Sequence, residues 1–147
     1  MTYIGTRAWL DAAGPPVAVQ ITTPATGVEP QVIVPDNTYY RLLSVAFDFV
    51  SSAVVANRYI RVGFSNAIGN NFNYSQLPTA VTASLTGHYS MAIGQGAAVA
   101  PQAIRQSGPI PDLVLPPGYA WNISVPGIDV GDQVQAIYAF IQSRSTG

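Results

Sequence analysis

Residues 111–142 read PDLVLPPGYAWNISVPGIDVGDQVQAIYAFIQ, and this stretch decides the fold class. Leu113 to Leu115 is a short apolar run, stopped by Pro116-Pro117-Gly118. Tyr119, Trp121, Ile123 and Val125 then alternate with Ala120, Asn122 and Ser124, the period-2 pattern of a half-buried strand. Trp121 falls on the apolar side of that alternation and is expected in the core. Pro126-Gly127 and Gly131-Asp132 are turn sequences, and Val134 to Ile141 is a final, more buried strand.

The same punctuation runs back through the chain. Val17, Val19 and Ile21 alternate with Ala18 and Gln20, giving a first strand to about Thr23. Pro24 to Pro30 is loop, Gln31 to Val34 a short strand, and Pro35-Asp36-Asn37 a turn. Tyr39 to Val50 is the longest regular run, with Leu43, Val45, Phe47 and Phe49 on one face and Ser44, Ala46 and Asp48 on the other. Its β-branched and aromatic residues in strict alternation favour a strand over a helix. Tyr59 to Ser65 follows, with Ile60, Val62 and Phe64 inward and Arg61 outward. Asn66 to Pro78 reads as a long polar loop. Val81 to Leu85 and Tyr89 to Ile93 read as strands around a turn at Thr86-Gly87, and Ile104 to Gly108 as a short turn or strand. The total is eight or nine strands and no helix: an all-β sandwich or barrel of one domain over residues 15–142, with residues 1–14 as an N-terminal arm and 143–147 as a polar tail.

Composition narrows function by exclusion. Only 9% of the 147 residues are charged, against about 25% in a typical soluble domain. So sparse a charge complement predicts that part of the surface is covered by a partner or by further copies of the chain. A net charge of −1, with no lysine and six arginines, gives no counterion-release drive toward nucleic acid. No apolar run approaches the ~20 residues of a membrane helix, and the N-terminus lacks the form of a secretory signal. Cysteine is absent, which excludes disulfides and thiol chemistry.

The chemical inventory is thin. A single histidine, His88, beside Gly87 at a turn or strand start, reads as structural. No G-x-S-x-G sequence surrounds a serine, and neither a P-loop nor a dinucleotide glycine pattern occurs. Asp129 and Asp132 flank Gly131 and could join in holding Ca²⁺, but aspartate is also ordinary turn chemistry, which is the reading adopted. No enzyme activity, cofactor or metal is expected. Aromatics outside the clean strands are the better contact residues. Tyr3, Ile4, Trp9 and Leu10 in the N-terminal arm are the expected interface with other subunits. Phe72 and Tyr74, among Asn70, Asn71 and Asn73, would form the binding loop of an alternative carbohydrate-binding module.

The run LPPG, the aromatic strand YAWNISV, the GDQ turn and the hydrophobic last strand, with VPDNTYYRLLSVAFDFV earlier, resemble small structural proteins of tailed bacteriophages. Size and all-β pattern resemble, within that group, the capsid decoration (cement) proteins. The resemblance implies a jelly-roll or related barrel and a homotrimer. It also implies a seat on the capsid surface against the major capsid protein, with synthesis in the host cytoplasm and no catalytic residues. The alternative module would sit on a tail fibre or baseplate.

Overall fold

The structure is a computed structural model that describes residues 14–100 and 104–145. Eleven strands occur among these residues: β1 Val17–Ile21, β2 Gln31–Ile33, β3 Thr38–Val50, β4 Arg61–Ser65, β5 Asn71–Gln76, β6 Thr86–Ile93, β7 Ala98–Val99, β8 Arg105–Ile110, β9 Val114–Leu115, β10 Ala120–Ser124 and β11 Gln133–Ser145. They form two open sheets packed as a sandwich, not a closed barrel. One sheet runs β1-β11-β3-β6-β8-β7, with β9 beside one end of β3; the other runs β2-β10-β4-β5.

Setting β7, β8 and β9 aside, the order is β1-β11-β3-β6 facing β2-β10-β4-β5. The chain switches between sheets so that β1 pairs with β11, β2 with β10, β3 with β6 and β4 with β5. That is the jelly-roll arrangement, two interleaved Greek keys. The β7–β9 segment is an insertion before β10. Its strand β8 extends the larger sheet by pairing in parallel with β6.

Local chemistry fixes the corners. Tyr119 N–H donates to Pro116 C=O at 3.1 Å around Pro117-Gly118, and Ile128 N–H donates to Val125 C=O at 2.8 Å around Pro126-Gly127. The glycines have φ of 82° and 85°, as the third residue of a type II turn requires. The core lies between the inner faces, where Val45, Phe47, Phe49, Tyr89, Met91 and Ile137 of the larger sheet meet Val62, Phe64, Trp121 and Ile123 of the smaller one.

Several expectations are corrected. Asn66–Pro78 is a turn followed by strand β5, an edge strand exposed on both faces, where amide side chains remain hydrated and apolar periodicity is not required. Thr86 and Gly87 belong to β6, and Val81 makes only an isolated bridge to Arg58, so Val81–Leu85 is not a strand. The inward residue near the start of β3 is Leu42, not Leu43, because the register to β11 skips Leu43 between Ser44 and Leu42. Residues 143–145 of the polar tail continue β11 against Tyr40, Tyr39 and Thr38.

Candidate functional site

Two surfaces gather the candidate functional side chains. The first is the outer face of the larger sheet. Asp48 on β3 lies directly opposite His88 on β6, and His88 opposite Arg105 on β8. These three residues form one cross-strand row. His88 Nδ1 stands 2.6 Å from Asp48 Oδ1. A carboxylate of this kind accepts, so Nδ1 donates and Nε2 is left for another partner. Arg105 is exposed and makes no side-chain hydrogen bond or ion pair to another described residue.

The neighbouring row is Tyr138, Ala46, Ser90, Ser107 and Ala98 across β11, β3, β6, β8 and β7. Its middle members are small, so the face sinks beside Tyr138, and Ala98, Val99 and Ala100 line the far end. The result is a groove of about 620 Å³. A smaller depression of about 350 Å³ shares Ala46, Ser90 and Tyr138 with it and reaches Phe140. Tyr138 and Phe140 are 52% and 50% exposed, large rings standing side by side on one face of β11.

A bulge puts them there. Gln135 pairs with Asp48 and Tyr138 with Ala46, so Ala136 and Ile137 together oppose Phe47. Ala136 takes a left-handed backbone, φ 49°. The extra residue shifts the parity of β11, so Val134 and Ile137 both point inward and the even-numbered aromatics turn outward.

The second surface is the end of the sandwich where the β1–β2, β3–β4 and β10–β11 connections meet. Gly27 N–H donates to Asp132 C=O, and Ser52 N–H donates to Asp132 Oδ1. Ser52 Oγ donates to Asp129 Oδ2, and Arg58 Nε donates to Asp132 Oδ2 at 2.8 Å. Arg58 and Asp132 are fully buried. Burial by itself would raise the Asp132 pKa. Hydrogen bonds from Arg58 and the Ser52 and Asp129 amides, with the Arg58 charge, outweigh it and hold the carboxyl below its usual value. The acids read as turn residues therefore bind the loops together. On this base stand Val28, Val54, Val55 and Val130, all exposed, Val55 at 92% and Val130 at 83%.

Tyr3, Ile4, Trp9 and Leu10 lie outside the described residues. Phe72 and Tyr74 are half-exposed on β5. They do not share a loop; each has its own protein partner. Phe72 meets Tyr119 edge-on at 6.0 Å, and the Arg61 guanidinium lies 4.5 Å over the Tyr74 ring. Asn70 N–H donates to Asn66 Oδ1, closing the turn before β5. Trp121 is buried, with its Nε1 lacking a partner among the described residues. His88 lies within β6 rather than at a turn. The charged row eluded sequence reading: Asp48 was legible as outward-facing, but its pairing with His88 is a matter of register. No protein-family model, curated protein or solved structure matches the chain.

Proposed function

We propose that this chain is a non-enzymatic virion structural protein, a capsid decoration protein that reinforces a phage head by non-covalent contacts with major capsid subunits. The observation that carries this reading is the end surface. Four valines stand exposed on three loops, two of them tied by the buried Arg58–Asp132 pair and the third held by Gly27 N–H on Asp132 C=O. Such a surface loses little conformational freedom on docking, so apolar burial there converts efficiently into affinity. The jelly-roll architecture, the sparse charge and the resemblance of the LPPG–YAWNISV block support the same reading.

The test is co-sedimentation with shells of the cognate major capsid protein, beside light scattering of the free protein. The expected result is a particle of three chains that pellets with shells. Val55→Asp with Val130→Asp should abolish pelleting while leaving the circular dichroism spectrum unchanged, and Trp9→Ala should weaken it. Undiminished attachment of all these variants would overturn the assignment.

A second reading, a carbohydrate-binding module of a tail fibre or baseplate, is favoured by the Tyr74–Arg61 and Phe72–Tyr119 surface of the smaller sheet. An unaltered glycan affinity in a Phe72 and Tyr74 double variant would remove that support.

A further inference from the structure

We propose that the groove across the outer face of the larger sheet is a saccharide-binding site, separate from the valine end surface and from Phe72 and Tyr74. Its volume, about 620 Å³, is that of a small-ligand site rather than a single-ion site. It crosses the strands. From Tyr138 on β11 to Ala98 on β7 there are four inter-strand steps, about 19 Å at the usual strand spacing. An open cleft of that length suits a short linear chain.

The chemistry of its two sides selects the class. Along one side stand an acceptor, Asp48, an imidazole held by it, His88, and a donor, Arg105, each one strand from the next. Ser90 and Ser107 lie on the floor, with Ser90 Oγ accepting from Gln95 and Ser107 Oγ donating to Gly96 C=O. The ring of Tyr138 closes one end and Phe140 continues the apolar wall. A sugar chain offers both halves of this pattern: hydroxyls that donate and accept at short intervals, and C–H faces that pack on aromatic rings. A phosphate-rich ligand is disfavoured because the Asp48 carboxylate shares the row with Arg105. The small residues of the floor, Ala46 among them, let a ligand approach the sheet closely.

Titration calorimetry on the full chain tests this, with inorganic phosphate and four neutral tetrasaccharides as probes: cellotetraose, maltotetraose, mannotetraose and N-acetylchitotetraose. The expected result is saturable binding of at least one saccharide. Affinity should fall tenfold or more in Tyr138→Ala and in Arg105→Ala, and should be unchanged in Val55→Asp. Both test residues are exposed, and melting curves matching the wild type confirm that each variant folds. Four outcomes overturn the proposal: no binding by any probe; binding that survives both groove variants; binding lost in Tyr74→Ala but not in Tyr138→Ala, which places the site on β5; or binding of inorganic phosphate at Arg105 with no saccharide bound. None of these bears on shell attachment, so this proposal and the decoration reading fail independently.

Discussion

Arg58 and Asp132 face each other at 2.8 Å with neither side chain reaching solvent, and this pair joins the β3–β4 connection to the β10–β11 turn. Arg58 also donates to Ala56 C=O and Ser52 Oγ, so each of its three nitrogens is engaged locally. Removing one partner leaves the other charge buried and uncompensated. Asp132→Ala should therefore cost about 3–5 kcal/mol in urea unfolding. Arg58→Met with Asp132→Leu should cost much less than either single change, because no bare charge remains. Equal losses in the double and single variants would show that the pair contributes more than the avoidance of a stranded charge.

Acid should unfold the protein through two depressed carboxyls. Asp112 is held low first by its hydrogen bonds from Arg41, at 2.7 and 2.9 Å, partly opposed by burial; Asp132 is held low despite burial. For a depressed carboxyl the unfolded chain binds the proton more tightly. The stabilisation is thus complete above the ordinary aspartate value of 3.8 and is lost as pH falls through the folded values. Urea midpoints followed from about pH 6 to about pH 2 should decline. The decline should be shallower in Asp112→Asn, and a slope identical to wild type would remove Asp112 from the account.

Alkali should act through Tyr89. Burial pushes its phenol up to about 12 from 10.0. The unfolded chain ionises first, so stability is retained below 10.0 and falls as pH rises toward about 12. Tyr89→Phe should flatten that limb of the stability curve, measured by fluorescence-detected unfolding.

Gly87 is required by the same residue. A Cβ at position 87 would lie 1.9 Å from Tyr89 Oη and 2.3 Å from Cζ, and the ring is packed in the core with little room to retreat. Gly87→Ala should cost at least about 1–3 kcal/mol by overpacking. Combined with Tyr89→Ala, the loss should be smaller than the sum of the two single changes, read from a double-mutant cycle.

The Arg61–Tyr74 contact should be weak. It is surface-exposed, and Arg61 Nε also donates to Gln76 Oε1. A double-mutant cycle on thermal unfolding should return about 0.5–1 kcal/mol. A coupling near zero would mean that the two side chains are free to meet a ligand separately.

Much of the architecture was legible because its signals are local. Trp121 and Ile123 share a face through simple alternation, and Pro117-Gly118 and Pro126-Gly127 specify their turns by φ preference alone. Strand β5 is not legible in the sequence because an edge strand of NFNYSQ buries little, its Phe72 and Tyr74 staying half-exposed among amides. The sequence spacing from Val134 to Ile137 held the trace of a bulge, since a step of three from one inward position to the next breaks period 2.

Alternation and turn chemistry in the sequence were sufficient to determine an all-β sandwich or barrel with Trp121 in its core, because each acts within a few residues; that the two sheets stay open as a sandwich was decided by the tertiary structure. Only the tertiary structure decided that Arg58 meets Asp132 across 74 positions, or that Asp48, His88 and Arg105 form one row. Those relations depend on strand order and register, and register is set by how two faces pack rather than by either strand alone. The bulge at Ala136 adds a shift of one residue, which is enough to turn Tyr138 and Phe140 from the core to the surface.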